Sequence, residues 1–278
     1  MVMRRTPYFV SLHQHIRLDE NLPSIGAWDE HAEALIRGAT GVLMPKYFTP
    51  SRYRRIRELA RAHFPSYGVR YAYRGKASQI ELFRRHGYPH PETRIFGSPG
   101  EAEASLAATG MPRPLPFVLK GDLGGGGSAV FPVESRQAYL EGLERLPFDQ
   151  PVLVQEWVEA GGKDLRVVFM ADQECSYFRV GGESFYNNVS KGARIEPELE
   201  PARQRSGRQL ARRLAEEIGI DLAAFDVIFP VSGPPQLLEI NFLFGKKGLG
   251  GLRGYNRMFE RAVQGWKRRL LSAASGCP

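Results

Sequence analysis

A chain of 278 residues, 42% hydrophobic and 24% charged, has the make-up of an ordinary globular protein and the length for about two domains. Thirty glycines and twenty prolines fall short of a disordered or collagen-like composition. The two cysteines, Cys175 and Cys277, rule out a disulfide framework and point to a reducing, cytoplasmic setting. A formal charge of +8 favours anionic partners without choosing among nucleotides, carboxylates, nucleic acid and membrane surfaces.

In chain order, Arg4 and Arg5 precede an apolar run that superficially resembles an export signal. The run stops at His13-Gln14-His15 without a small-residue cleavage site, so Tyr8–Leu12 is read as the first strand. Asp29–Arg37 reads as a helix and Gly41–Met44 as a strand. A second helix, with Tyr53, Ile56 and Leu59 on one face, is expected to be capped by Ser51. This order describes a small parallel α/β unit over residues 1–70. A second unit, 71–150, contains a helix from Lys76 to His86, the strand Thr93–Phe96 and a helix opened by Ser98-Pro99. The strands Phe117–Lys120 and Ala129–Val133 then flank the glycine run Gly124–Gly127. A third unit, 151–278, carries strands at Val152–Trp157, Leu165–Met170 and Cys175–Val180, a helix through Leu210, Leu214 and Ile218, and strands at Ala224–Phe229 and Gln236–Asn241. It closes with an amphipathic helix whose Tyr255, Phe259, Val263 and Trp266 form a core stripe. No stretch of about 18 apolar residues offers a membrane span, and the predicted class is α+β with antiparallel sheets.

Two segments carry chemistry on their own residues. Lys120-Gly121-Asp122-Leu123 leads into Gly124-Gly125-Gly126-Gly127-Ser128. Glycines allow backbone N–H groups to converge on a phosphate, although the same run also suits a flexible surface hairpin. It is neither a Walker loop, lacking Gly-Lys-Ser/Thr, nor a dinucleotide fingerprint, because a strand follows where a helix is required. In Glu239-Ile240-Asn241 the first and third residues share a strand face, and Asp226 sits on a neighbouring strand. The three oxygens suit Mg²⁺, and the pattern also arises on a solvated sheet face. His13-x-His15 lacks a third ligand for zinc. The arginines between Arg203 and Arg213 read as a solvated helix face, which argues against nucleic acid.

The order of these signals is more specific than any one of them. Two lysines with a glycine loop, Gln155-Glu156, Asp164-x-Arg166, Asn188-x-Ser190, Asp226 and Glu239-x-Asn241 together resemble the ATP-grasp superfamily. The likeness is to its glutathione synthetases and ribosomal-protein glutamate ligases, over residues 71–250. It implies an ATP-grasp fold, two α+β subdomains clasping ATP, preceded by a shortened α/β domain. It implies that Lys76 and Lys120 hold phosphates under the loop containing Gly124, Gly125, Gly126 and Ser128. Glu156, Trp157 and Val158 would form the adenine hinge, with Asp164 on the ribose. Asp226, Glu239 and Asn241 would hold one or two Mg²⁺ ions, Mn²⁺ being an alternative. Asn188, Arg166 and Lys191 would serve the reacting phosphate.

Two positions depart from that family. Tyr186 stands where those ligases often carry arginine, so Arg166, Arg179 or Lys191 must supply the charge. After Asn241 the chain reads Phe242-Leu243-Phe244-Gly245-Lys246-Lys247 in place of small residues and Pro-Gly. The resemblance implies an ATP-dependent carboxylate–amine ligase working through an acyl phosphate, in the cytoplasm, with no membrane partner and the oligomeric state left open. Lys246, Lys247 and Arg253 suggest acidic small-molecule or peptide substrates. The alternative is an ATP-binding regulatory or scaffold protein without turnover.

Overall fold

Three sheets organise the residues described by the computed structural model, 6–23, 28–181 and 192–275. The first contains β1 (Phe9–Ser11), β2 (Glu20–Asn21), β3 (Gly41–Leu43) and β4 (His63–Phe64), in the order β2-β1-β3-β4 and parallel throughout. Its helices are α1 (Glu30–Gly38) and α2 (Pro50–Leu59). The expected parallel α/β unit is therefore present. The cap of α2 differs from expectation: Thr49, not Ser51, accepts the N–H of Arg52. Pro50 takes the first helical position, where its missing N–H costs nothing, and this moves the cap one residue ahead of it. The Ser51 hydroxyl hydrogen-bonds that of Thr49 (3.1 Å).

After the short α3 (Gly68–Ala72) and α4 (Lys76–Arg85), a second sheet is built from β5 (Thr93–Phe96), β6 (Phe117–Gly121), β7 (Val130–Val133) and β8 (Val152–Glu156). Its order is β5-β8-β6-β7, and the β6–β7 hairpin encloses the glycine run as expected. Helices α5 (Pro99–Thr109) and α6 (Arg136–Glu144) cover one face, where Leu106, Tyr139 and Leu143 meet Phe117, Leu119, Val152 and Val154. Strand alternation sends Lys120 and Gln155 to the opposite face.

The third sheet comprises β9 (Lys163–Met170), β10 (Gln173–Val180), β11 (Arg194–Glu196), β12 (Leu222–Ile228) and β13 (Gln236–Asn241), ordered β11-β10-β9-β12-β13 and antiparallel. One face buries Leu165, Val167, Phe225 and Val227 against α7 (Pro201–Ile218) and α4. The other face is divided. Val168, Met170 and Ala224 pack under α8 (Gly251–Ser275), through Phe259, Val263 and Trp266, together with Phe9, Leu43 and Phe64 of the first sheet. Gly41 makes this join close: a Cβ there would lie 2.7 Å from the Trp266 ring. Farther along the same strands the face is polar and faces the second sheet. Among the described residues no helix is long and apolar enough to cross a membrane.

Candidate active site

The polar half of the third sheet follows from strand periodicity. On β9, Asp164 and Arg166 share the face of Val168 and Met170. Arg179 stands opposite Asp164 across β10, and Asp226 stands opposite Arg166 across β12. These register pairs are also ion pairs. Arg166 grips Asp226 with two parallel bonds, Nε to Oδ1 and Nη2 to Oδ2, both 2.8 Å. Arg179 donates from Nε to Asp164 Oδ1 (2.6 Å) and reaches Asp226 Oδ2 with Nη2 (3.0 Å). Asp164, Arg179 and Asp226 are all buried. Burial alone would raise the Asp226 carboxyl, but Arg166 and then Arg179 overcome it and bring it down to about 2. Burial pushes the Asp164 carboxyl upward, with Arg179 pulling the other way.

Across the cleft, β6 supplies Lys120 and the start of α4 supplies Lys76. Lys120 Nζ donates to Gln155 Oε1 (2.5 Å), and Gln155 Nε2 donates to Thr93 Oγ1 (2.9 Å), so a buried relay fixes the ammonium. Burial depresses the Lys120 pKa to about 8. Lys76 Nζ points at the carbonyl of Gly124 (3.1 Å) in the glycine loop and lies 4.0 Å from Glu239 Oε1. The cleft among these groups encloses about 540 Å³, within the range of roughly 300–1,000 Å³ typical of ligand sites.

Nearly every residue singled out from the sequence lies on this cleft. Lys76, Lys120, Gly124, Gly125, Gly126, Ser128, Glu156, Trp157, Val158, Asp164, Arg166, Asp226, Glu239 and Asn241 all line it. Asn188, Lys191 and Tyr186 lie outside the described residues. At the hinge, the Glu156 N–H is already given to the Glu92 carbonyl (2.9 Å). What Glu156 can offer an adenine is therefore its carbonyl. Two residues were not expected in the roles the structure shows: Gln155, which holds Lys120, and Arg179, which is tied into the carboxylates. The alternation of β8 places Gln155 on the Lys120 face, but the pairing of Arg179 with Asp164 depends on the β9–β10 register. The stretch Gly245–Arg253 does not line this cleft. Lys246 instead sits over the Tyr255 ring, its Nζ 4.2 Å from the centroid.

Asp226 and Glu239 stand directly opposite each other on β12 and β13, a like-charge pairing that is destabilising unless positive charge answers it. Arg166 and Arg179 answer Asp226. Glu239 has no such close ion pair, Lys76 being 4.0 Å away, and burial pushes its carboxyl upward against the pull of Lys76, Lys120 and Arg166. Asn241, one pleat along, donates its Nδ2 to Asp226 Oδ2 (3.0 Å), which leaves its amide oxygen for another partner. No group of three or more His, Cys, Asp or Glu side chains among the described residues could hold a metal. A cation here would instead draw on two carboxylates and one amide, completing its shell with phosphate and water. That donor set fits Mg²⁺ or Mn²⁺.

Comparison with known proteins gives this geometry its relatives. The family model for the RimK-like ATP-grasp domain matches residues 73–256. A probable alpha-L-glutamate ligase of Parasynechococcus marenigrum is 31% identical over 216 residues, covering 72% of this chain and 43% of that protein. A ribosomal protein bS6–L-glutamate ligase of Salmonella paratyphi B is 26% identical over 180 residues, covering 63% of this chain and 58% of its own length. The chain thus spans about half the length of these relatives. Among solved structures, a RimK domain ATP-grasp protein from Sphaerobacter thermophilus superposes with a TM-score of 0.57 at 18% identity, covering 92% of this chain and 98% of that one. A carboxyaminoimidazole ribonucleotide synthase from Aspergillus clavatus complexed with ATP gives 0.54 at 18% identity, over 77% of this chain and 56% of that one. At such identities the structural likeness establishes the fold, which is ATP-grasp.

Proposed function

We infer that this chain, which belongs to the RimK-like ATP-grasp family, is an ATP-dependent ligase that joins a carboxylate to an amine. The observation that carries this reading is the convergence of four basic side chains, Lys76, Lys120, Arg166 and Arg179, on one cleft with the Asp226–Glu239–Asn241 face, beneath a glycine hairpin. Phosphoryl transfer asks a protein mainly for positioning and charge neutralisation, and this set of residues supplies both. Lys76 from the start of α4 and Lys120 from β6 would hold the triphosphate while the glycine loop gives backbone N–H groups. The hinge at Glu156–Val158 would receive adenine, and Asp164 the ribose hydroxyls. Asp226, Glu239 and Asn241 would hold Mg²⁺, which supplies screening and Lewis-acid pull on the phosphate oxygens.

In the reaction we propose, a substrate carboxylate oxygen attacks the γ-phosphorus and ADP leaves. The amine then attacks the acyl carbon and phosphate departs. Arg166 and Arg179 line the cleft and would steady the charge of the acyl phosphate in place of the family arginine at Tyr186. The glycine hairpin would exclude water from the acyl phosphate. The relatives named for glutamate suggest glutamate as the amine. The test is ADP release by the full chain with Mg·ATP, L-glutamate and glutamate-ended peptides. The ligase reading expects release only with both organic substrates present. ADP release unaffected by omitting either one would refute it and mark a hydrolase, and no release with any pair would refute it in favour of an ATP-binding protein without turnover.

A further inference from the structure

A second, smaller pocket lies where the loops following β1, β3 and β4 meet the segment after β13 and the first turns of α8. The carboxyl-terminal edge of a parallel sheet is a preferred place for ligands. The floor is aromatic, formed by Tyr67, Tyr255 and Phe259, and the rim carries His13, Lys46 and Arg70, with no carboxylate in the lining. Lys246 joins them from above Tyr255. Among the described residues the partners of Lys46, Arg70 and Lys246 are rings and a carbonyl. Lys46 lies over Tyr47, and Arg70 lies over Tyr67 while donating to the Lys46 carbonyl (3.0 Å). No described carboxylate forms an ion pair with Lys46, Arg70 or Lys246. Lys246 is pushed down by burial and then by the charge of Lys46.

The rim is held in place. Three side chains at α3 each donate to a carbonyl of the loop after β3: Tyr67 to Pro45 (2.5 Å), Arg70 to Lys46, and Tyr71 to Phe48. The Ser66 N–H is gripped by the Asp221 carboxylate at the start of β12 (2.8 and 3.0 Å). His13 Nδ1 accepts the N–H groups of His15 (3.2 Å) and Ile16 (3.1 Å), which puts its proton on Nε2 as a donor. Burial, then His15 and Lys246, hold the His13 pKa down to about 4, so at neutral pH the ring donates without adding charge. A fixed cluster of like charges with no acid among them is arranged for an anion that comes from outside.

We propose that the cationic rim of this pocket, whose interior of about 20 Å³ holds little more than a water, is a carboxylate subsite, in which Lys46, Arg70, Lys246 and His13 Nε2–H hold a distal carboxylate of the acceptor whose reacting carboxylate lies in the ATP cleft. The proposal rests on the ligase reading of that cleft. Leu222 lines the pocket and Asp226 the cleft, four residues apart on one face of β12, or about 13 Å at 3.3 Å per residue. A ligand bridging the two sites carries carboxylates on the order of 10–15 Å apart, the reach of three or four extended residues. The acceptor is therefore a short acidic peptide segment rather than a free amino acid.

The experiment compares binding of acetyl-Glu-Ala-Ala-Glu and acetyl-Gln-Ala-Ala-Glu to the full chain by calorimetry in the presence of Mg·ADP. The glutamate peptide should bind about tenfold or more tightly. That preference should vanish in Lys46→Met and Lys246→Met, whose positions are half-buried and outside the ATP cleft, while ADP affinity stays at the wild-type value and reports a folded cleft. Equal binding of the two peptides, or a preference that survives both substitutions, overturns the subsite. Inorganic phosphate binding that depends on Lys46 and Lys246, with no discrimination between the peptides, would assign the pocket to a phosphorylated ligand and overturn the carboxylate. Peptide discrimination without ADP release in the ligase assay would sink the ligase reading and leave the pocket standing. Turnover without discrimination would do the reverse.

Discussion

Replacing Arg179 by Met should destabilise the protein more than any other single change at the cleft, and should do so in a pH-dependent way. Among the described residues Arg179 is the only one hydrogen-bonded to the Asp164 side chain, and both are buried. Asp226 would keep its two bonds to Arg166, so the damage falls on Asp164. Breaking a buried pair by removing one partner costs about 3–5 kcal/mol, because the remaining charge is left uncompensated. With a urea slope of roughly 3 kcal/mol per molar, the unfolding midpoint should fall by about 1 M or more at pH 7.5. The sign with pH is fixed by linkage. Burial already raises Asp164, and losing Arg179 raises it further, so the folded variant binds this proton more tightly than the unfolded chain does. The deficit is then fully expressed above the variant's raised pKa and shrinks as pH falls towards 4. Arg179→Lys should recover part of the loss. Asp164→Asn in the Arg179→Met background should recover most of it, because it removes the stranded charge. A midpoint shift worth less than about 1 kcal/mol at pH 7.5, or a deficit unchanged at pH 5, would refute the role given to this pair.

Three further outcomes follow from other residues. Asp221, raised to about 7 mainly by burial, has a folded pKa above its unfolded value. It should therefore cost stability progressively as pH rises from about 4 to 7, and the difference between wild type and Asp221→Asn in thermal midpoint should grow over that window; a constant difference would contradict it. Lys120, held near 8, should take up a fraction of a proton when Mg·ATP binds at pH 8, because the triphosphate favours the ammonium. Calorimetry in buffers of different ionisation enthalpy should detect that uptake in wild type and not in Lys120→Arg. Glu239→Gln keeps the shape of the metal face and removes a charge, so ADP release should drop on the order of 10²-fold or more. Turnover at the wild-type rate would remove Glu239 from the metal face.

What the sequence made legible was what local periodicity controls. The strand after Gly127 marked the glycine run as a hairpin, which β6 and β7 form. Glu239 and Asn241 could be placed on one face because residues two apart in a strand point the same way. Asp226 could be assigned beside them because β12 directly precedes β13. Pairings that depend on register were out of reach. Nothing between Asp164 and Arg179 says that their strands meet at that step, and the relay from Thr93 through Gln155 to Lys120 spans three strands. Helix α6 escaped notice, its start being signalled only by Ser135, which accepts the Ala138 N–H (3.1 Å). The two-residue strands β2 and β4 exist only because β1 and β3 lie beside them. The apolar tail Phe242–Phe244 gave no sign that it would close a basic pocket, since the cations there come from the loop after β3, from α3, and from the residues following the tail.

The central claim is that carboxylate oxygen attacks the γ-phosphate, and isotope transfer tests it most directly. The full chain would be incubated with Mg·ATP, L-glutamate and acetyl-Glu-Ala-Ala-Glu carrying ¹⁸O in its carboxyl groups, and the released phosphate analysed by mass spectrometry. Passage through an acyl phosphate predicts one ¹⁸O atom per phosphate released in proportion to amide formed. Phosphate released without ¹⁸O while ADP accumulates would mean that water is the nucleophile, and would contradict the account.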